Sequence, residues 1–401
     1  MQASYRGCAE RGAYILCWCS TSLEVETVKM RLGRSRDVIS KRLTLRVAAI
    51  ALTATCLSDH SANTQAALGA PGSVVSLREL AGRRGIRISA AVNPSYLAEA
   101  AYSDILVSEF SGLEPENAMK FASLHPRRDT DARPYDFAAA DQLVAFAKAH
   151  NIAVRGHTLV WHRQIPDWVT KSNYTAQQLN EILRSHIGDA VAHFGDSVYA
   201  YDVVNEAFMD DGSMRSTIWY DQPGIGFAGE GTKYIEQALQ WAHAANPKAK
   251  LFYNDYDVEA VNKKSDAMYR MALDFVRKGV PLNGVGLQMH VDLGFDDPAK
   301  LKSLAENMER FAKLGLEVHV TELDIALSSN AAAELEKQAE LYGKIVRACV
   351  EQPACKVLQT WGFTDKYSWI RDFRRGYGWA LPWDANYKKK PAYAAIENAL
   401  R

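Results

Sequence analysis

Short apolar runs recur along the chain from about residue 76, and segments with a helical pattern separate most of them. Eight of these runs have the length and the apolar content of strands. They cover residues 88–92, 105–110, 152–156, 198–204, 250–253, 284–289, 316–320 and 356–360. Because strands alternate with helices, the pattern predicts a parallel sheet with helices packed outside it.

Three of the intervening segments carry apolar residues on one helical face. The first begins at a capping box formed by Thr175 and Gln178. Its apolar face comprises Leu179, Ile182, Leu183, Ile187, Ala190, Val191 and Phe194. The faces of the other two comprise Ile235, Ala238, Leu239 and Ala242, and Leu301, Leu304, Met308 and Phe311. Pro247 is expected to stop one of these helices, and Gly315 to follow the other as its C′ residue.

The strand and helix units run from residue 76 to residue 401 without a linker. Eight such units in one uninterrupted segment predict a single-domain α/β protein, a (β/α)8 TIM barrel. A doubly wound sheet is the alternative. It is disfavoured because no glycine-rich phosphate-binding loop follows the first strand.

Polar and aromatic residues follow seven of the predicted strands. These clusters are 116–120, 156–162, 205–206, 254–256, 288–290, 321–324 and 361–363. In a (β/α)8 barrel the active site lies at the carboxyl ends of the strands, so the clusters are expected to meet in one site. Glu206 and Glu322 each end a β-branched run. Two such carboxylates are what the hydrolysis of a glycosidic bond requires, although each could also be an ordinary ion-paired glutamate.

Composition changes this picture little. The formal net charge is zero and the pI is about 7.1, so nothing indicates a nucleic acid or an anionic membrane as partner. The chain has 9 Trp and 18 Tyr, which are either core residues or, beside glutamates, surfaces on which sugar rings can stack.

The first 70 residues differ from the rest. A basic segment from Arg31 to Arg46 precedes the apolar run 47–57, which is typical of a secretory signal peptide. The run is too short to span a bilayer. Residues 1–70 are therefore interpreted as an N-terminal extension and signal peptide, with Met30 as the true start. Lipid attachment at Cys56 and a buried N-terminal helix are the alternatives, so the location is either extracellular or periplasmic, or lipid-anchored.

Cys349 and Cys355 are the two cysteines that follow residue 56, and Pro353 lies between them. In an exported protein such a pair is expected to form a disulfide across a short loop. Two free thiols are the alternative for a protein that stays in the cytosol.

Several of the segments at the strand ends have specific sequences. They are ENAMK at 116–120, RGHTLVWH at 155–162, DVVNEA at 202–207, GLEVHVTELDI at 315–325 and KPAYAAI at 390–396. Together and in this order they resemble glycoside hydrolase family 10, the endo-β-1,4-xylanases, over residues 88 to 400. Two positions depart from the family pattern. Phe121 stands where Trp is usual and Trp383 where Phe is usual, which puts the affinity of distal sugar subsites in question.

The resemblance implies a role for each matching residue. Glu206 would be the catalytic acid/base and Glu322 the nucleophile. The residues implied in substrate binding are Glu116, Asn117, Lys120, His157, Trp161, Asn205, Gln288, His290, Trp361 and Trp369. Asp324 would orient His290, which would hold Glu322, and Gln288 would bind the nucleophile or its sugar. Taken singly, each of these residues also has an ordinary structural explanation.

The implied function is a secreted, monomeric, retaining endo-β-1,4-xylanase that acts on xylan and xylo-oligosaccharides and needs no cofactor. A metal site at His157 and His162 is disfavoured, because their spacing places them on opposite strand faces and no thiolate or third histidine is nearby; His162 is interpreted as structural. The alternatives are another retaining barrel glycosidase, such as an endoglucanase, and an inactive barrel that binds glycans. The second is disfavoured because both carboxylates are present.

Overall fold

The computed structural model of the chain describes residues 75–401. The signal peptide, the start at Met30 and the lipid attachment at Cys56 all fall outside the described residues.

Nine parallel strands form the sheet. They are β1 (Arg87–Val92), β2 (Gly112–Pro115), β3 (Ala153–Val160), β4 (Val198–Asn205), β5 (Lys250–Asp255), β6 (Gly284–Leu287), β7 (His290–Asp292), β8 (Glu317–Ala326) and β9 (Cys355–Thr360). Neighbouring strands pair in the order β6-β5-β4-β3-β2-β1-β9-β8, and β6 also pairs with β8. This pairing closes an eight-stranded barrel and confirms the predicted fold. The short β7 pairs with the carboxyl end of β8 and sets His290 opposite Asp324.

Helices connect the strands, and the longer ones cover the outside of the barrel. They are α1 (Leu77–Arg83), α2 (Ala100–Glu109), α3 (Phe121–Leu124), α4 (Ala138–Ala149), α5 (Asp167–Thr170), α6 (Ala176–Phe194), α7 (Lys233–Ala245), α8 (Lys263–Lys278), α9 (Pro298–Ala312), α10 (Ala332–Glu351), α11 (Ile370–Phe373) and α12 (Pro391–Leu400). The predicted capping box at Thr175 forms and opens α6. Within residues 75–401, none of these helices has the length and apolarity to cross a bilayer.

The prediction for residues 105–110 was wrong, because this segment belongs to helix α2 and its C-cap. Tyr102 and Leu106 lie four residues apart and are both buried, so the apolar run is one face of a helix. The true second strand is β2, whose GLEP sequence carries no β-branched residue. A side chain at Gly112 would lie 2.2 Å from the Ser89 hydroxyl, so close packing inside the barrel requires glycine there.

Helix α9 also ends earlier than expected. Its last residue is Ala312 and its C-cap is Lys313, so Gly315 lies two residues beyond the cap, with a φ of 80°. There it turns the chain into β8 rather than closing the helix.

The eight strands that close the barrel are buried along almost their whole length. In β4 and β8 every residue after the first, except Tyr199, is buried. Both faces of a barrel strand are covered, one by the interior and one by the helices, which explains continuous apolar runs instead of alternation. Each fully buried Val or Leu stabilises the fold by about 1.5–3 kcal/mol, and this rigid frame holds the loops that carry the site.

Cys349 and Cys355 form a disulfide, with their Cα atoms 5.3 Å apart. Cys349 lies in the last turn of α10 and Cys355 begins β9. The bond therefore fixes the connection into the last barrel strand, as the sequence predicted.

Candidate active site

A cleft of about 610 Å³ opens at the carboxyl ends of the barrel strands. The twelve residues predicted as catalytic or substrate-binding all line it: Glu116, Asn117, Lys120, His157, Trp161, Asn205, Glu206, Gln288, His290, Glu322, Trp361 and Trp369. A volume of this size suits a small chain of sugar rings. Parallel strands bring these residues together because their carboxyl ends all meet at one face of the barrel.

Glu322 lies within β8 and is 4 % exposed. Its Oε1 accepts a hydrogen bond from the Asn254 amide at 2.7 Å, and its Oε2 lies 3.1 Å from His290 Nε2. Burial alone would raise the pKa of this carboxyl. The hydrogen bond from His290 and the positive charge of His157 outweigh it and hold the pKa below the ordinary value. Glu322 is therefore kept ionised.

His290 lies between two carboxylates. Its Nδ1 is 2.9 Å from Asp324 Oδ2, and the indole of Trp369 donates to that same oxygen at 2.8 Å. Burial opposes a charge on the ring, but Asp324 and Glu322 hold the pKa of His290 well above its ordinary value. Both ring nitrogens therefore carry protons, and the imidazolium donates to Glu322.

Glu206 follows directly after β4, where its backbone turns into the left-handed region with a φ of 58°. Three neutral donors reach its carboxylate. The Trp161 indole is 2.8 Å from Oε2, while the amides of Asn205 and Gln288 are 3.2 and 3.1 Å from Oε1. His162 Nδ1 also lies 3.8 Å from Oε2, but burial lowers the pKa of His162 to about 4, so this ring is neutral near pH 7. Among the described residues, the charged hydrogen-bond donor to this pair of glutamates is His290, which contacts Glu322.

The side chain of Gln288 does not bond the proposed nucleophile, and its predicted contact with the sugar stays a prediction. Its side-chain amide donates to Asn205 and Glu206, not to the side chain of Glu322. Its contact with Glu322 is through the main chain, where the Gln288 carbonyl accepts from Glu322 N–H at 2.8 Å.

Asn254, which the sequence analysis placed in a strand-end cluster without giving it a role, connects the two halves of the site. Its side-chain amide donates to Glu322 at 2.7 Å and to Asn205 at 2.9 Å. Its own oxygen accepts from the Thr321 hydroxyl at 2.7 Å, which fixes the orientation of the amide. The sequence signal that could have indicated this role is the position of Asn254 at the end of a strand that pairs with β4, which ends at Asn205, directly before Glu206.

Asn117, Lys120, Trp161 and Trp361 form one wall of the cleft. The Lys120 ammonium donates to Asn117 Oδ1 at 3.1 Å and lies 4.8 Å from the Trp161 ring and 5.6 Å from the Trp361 ring. Burial lowers the pKa of Lys120, although nearby glutamates, Glu322 first among them, oppose the shift. The wall thus presents a cation and an amide beside two aromatic faces, a combination that suits a sugar ring and its hydroxyls.

Beneath this wall, Glu114, His157 and Asp202 bring metal-ligand atoms within 4.8 Å of one another. The guanidinium of Arg155 already lies among them, 3.2 Å from Glu114 and 3.1 Å from Asp202. His157 Nδ1 is 3.1 Å from Asp202. Arg155 therefore supplies the positive charge, and the cluster orients His157 toward the cleft.

Further residues line the cleft that the sequence analysis did not commit to the site. His162, which the sequence analysis interpreted as structural, lines the cleft, and its Nδ1 lies 3.8 Å from Glu206 Oε2. The others are Arg163, Gln164, Arg215, Tyr256, Asp257 and Phe373. Phe121 and Trp383, the two departures from the family pattern, are buried packing residues and do not line the cleft.

The chain is similar in sequence to a known family and to several named enzymes. The family model for glycosyl hydrolase family 10 matches residues 76–399. Endo-1,4-beta-xylanase B of Thermotoga neapolitana is 42 % identical over 331 residues, covering 81 % of this chain and 92 % of that protein. Endo-1,4-beta-xylanase A of Phanerodontia chrysosporium is 36 % identical, with coverage of 82 % and 78 %.

Solved structures give the same result. Xylanase 10B from Thermotoga petrophila RKU-1, crystallised with xylobiose, superposes with a TM-score of 0.76 at 43 % identity and covers 82 % of this chain and 98 % of its own. Native xylanase 10B from Thermotoga maritima gives 0.76 at 44 %, with coverage of 81 % and 98 %. With the family model matched over nearly all of the barrel, the chain belongs to glycosyl hydrolase family 10.

Proposed function

We propose that this glycoside hydrolase is a retaining endo-β-1,4-xylanase in which Glu206 is the acid/base and Glu322 the nucleophile. The observation that carries the assignment is the unequal environment of the two carboxylates. Glu322 accepts a hydrogen bond from the imidazolium of His290, whereas Glu206 is met by the neutral donors Trp161, Asn205 and Gln288. The carboxylate whose pKa is held low suits nucleophilic attack, and the other is left for proton transfer.

The reaction follows in two steps. Glu322 attacks the anomeric carbon and forms a glycosyl-enzyme ester, while Glu206 protonates the departing glycosidic oxygen. Glu206 then removes a proton from water, which attacks the same carbon and releases Glu322. Two inversions leave the product with the β-configuration of the substrate. Asn254 donates to Glu322 and to Asn205, which directly precedes Glu206. This link keeps the two carboxylates at a fixed separation through both steps.

Xylan is the proposed substrate because the similar proteins are named endo-1,4-beta-xylanases and one of the similar structures contains xylobiose. The rival substrate is cellulose, whose glucose units carry a hydroxymethyl arm that xylose lacks. We infer that the wall formed by Lys120, Trp161 and Trp361 leaves too little room for that arm, because the Lys120 ammonium lies 4.8 Å from the Trp161 ring and 5.6 Å from the Trp361 ring.

The purified protein should release reducing sugar from soluble xylan much faster than from a soluble cellulose. Proton NMR of the first product should show the β-anomer, because two inversions restore the configuration of the substrate. The same mechanism requires the carboxyl groups of Glu206 and Glu322 to lie about 5–5.5 Å apart. An α-anomer formed first would contradict the double displacement. Faster hydrolysis of the cellulose would contradict the proposed substrate.

We also propose that the enzyme acts outside the cytoplasm. Xylan is a polymer too large to enter a cell. The basic and apolar pattern of residues 31–57 and the Cys349–Cys355 disulfide both support export.

Asn117 is proposed to bind the sugar two places from the cleaved bond, on the non-reducing side. Asn117→Ala should lower kcat/KM on aryl xylobiosides by about 10- to 150-fold. The substitution removes a hydrogen bond to the sugar and also the acceptor of the Lys120 ammonium, and a hydrogen bond to a charged group contributes about 1.5–3 kcal/mol. Aryl monoxylosides do not reach this subsite and should be much less affected. Steady-state kinetics on both substrates makes the comparison.

The matched control is Asn173→Ala, since Asn173 is exposed and outside the cleft. It should leave both substrates unchanged. A similar drop on both substrates in Asn117→Ala would assign Asn117 to folding or to the catalytic centre instead.

A further inference from the structure

We propose that Arg215 is a positioning residue for the acid/base step, holding the main chain of Glu206 in the turn that presents its carboxylate to the leaving group. The inference deepens the proposed function and rests on it. It assigns to Arg215 a task that concerns proton transfer and not nucleophilic attack.

Arg215 contacts three consecutive residues of the acid/base segment. Its Nε donates to the Glu206 carbonyl at 2.8 Å and its Nη2 donates to the Phe208 carbonyl at 3.1 Å. Its own backbone N–H donates to the Ala207 carbonyl at 2.8 Å. The same Nη2 lies 2.9 Å from the hydroxyl of Tyr256, a residue that also lines the cleft.

The turn at Glu206 needs such support. A φ of 58° is disfavoured for a residue with a side chain, so the surroundings must impose it. Strand β5 holds the N–H side, since Glu206 N–H donates to the Asn254 carbonyl and Ala207 N–H to the Tyr253 hydroxyl. The carbonyl side of the turn is held by Arg215.

An ordinary ion pair does not explain Arg215. Across residues 75–401, no carboxylate lies within 4.0 Å of its guanidinium nitrogens. Its donors go to carbonyls and to a phenol instead. Arginine suits this task because its planar guanidinium carries five donors in a fixed fork, whereas a lysine ammonium has no such fixed geometry.

The consequence is specific to one catalytic group. Glu322 is anchored from a different strand by Asn254 and His290, so loss of Arg215 leaves the nucleophile in place. Glu206 would turn away from the leaving oxygen. The rate should then fall in proportion to how strongly the leaving group depends on protonation.

Arg215→Met removes the donors but keeps the length of the stem. Its kcat/KM on phenyl β-xylobioside should fall by about 100-fold, which is the lower end of the contribution of a general acid. On 2,4-dinitrophenyl β-xylobioside, whose leaving group needs no proton, the loss should be within about threefold. The ratio of the two losses does not depend on the fraction of folded enzyme. Arg215→Lys, which keeps the charge without the fork, should show the same split.

Azide gives a second measurement, on the other half-reaction. The azide anion attacks the anomeric carbon of the glycosyl-enzyme, the bond to Glu322 breaks and β-xylobiosyl azide forms, with no proton to be removed. Azide should therefore raise kcat of Arg215→Met on the dinitrophenyl substrate but not that of the wild type. Arg374→Met is the matched control, because Arg374 pairs with Asp292 away from Glu206 and should show wild-type behaviour with and without azide.

Equal losses on both xylobiosides, or no loss on either, would overturn the proposal. So would Tyr256→Phe reproducing the whole split, because the phenol contact and not the main-chain contacts would then be responsible. A wild-type enzyme inactive on both xylobiosides would instead contradict the proposed function.

Discussion

Glu322→Ala is expected to abolish turnover on every substrate, with kcat on xylan falling by roughly 10⁵-fold or more. The reason is that no other group can form the glycosyl-enzyme, whatever the quality of the leaving group. An activated substrate such as 2,4-dinitrophenyl β-xylobioside should therefore be lost together with xylan. Stopped-flow absorbance should show no burst of dinitrophenol from the variant.

Glu317→Gln is the matched control, because Glu317 lies at the opposite end of the same strand and pairs with Lys250 at 2.5 Å. It should retain wild-type kcat. A burst from Glu322→Ala equal to that of the wild type would remove Glu322 from the role of nucleophile.

The hydrogen bonds and charges around Glu322 set the acidic limit of activity. Despite burial, His290, His157 and Asn254 hold the pKa of Glu322 below the ordinary 4.5. A depressed pKa means that Glu322 stays ionised as the pH falls through that ordinary value. The acidic limb of kcat/KM should therefore lie below about pH 4.5, the ordinary carboxyl pKa.

Glu206→Ala is expected to show a different failure. On xylan, kcat/KM should fall by about 10²- to 10⁴-fold, the contribution of a general acid. On the dinitrophenyl xylobioside the first step should remain close to wild type, because dinitrophenolate leaves without a proton. The second step should be slow, because no base activates water, so the glycosyl-enzyme should accumulate.

Stopped-flow absorbance would show this as a fast burst of dinitrophenol followed by a slow steady rate, and mass spectrometry would show the trapped ester. Glu230→Ala, at an exposed glutamate outside the cleft, should behave as the wild type on both substrates. Equal losses on xylan and on the activated substrate would contradict the division of roles between Glu206 and Glu322.

Much of the fold could be read from local spacing. The capping box at Thr175 and the apolar face of α6 were visible because helix periodicity is recorded within a few residues. Residues 105–110 were misassigned because a short apolar run looks the same in a buried strand and in one helical face. Helix α2 buries only Tyr102, Leu106 and Glu109, and the strand beside it is four residues long.

The sequence by itself determined the strand-and-helix alternation, the position of Glu206 directly after a strand, and the residues around the cleft. The predicted strand before Glu322 was too short, because β8 continues through Glu322 to Ala326. These depend on side-chain periodicity and on the resemblance of whole motifs. Only the tertiary structure decided which donor meets which carboxylate. Asn254 reaches Glu322 across 68 residues and Gln288 reaches Glu206 across 82, and Arg215 meets Tyr256 across 41. Contacts at such separations depend on how the strands are aligned when the barrel closes, and local spacing carries no record of that alignment.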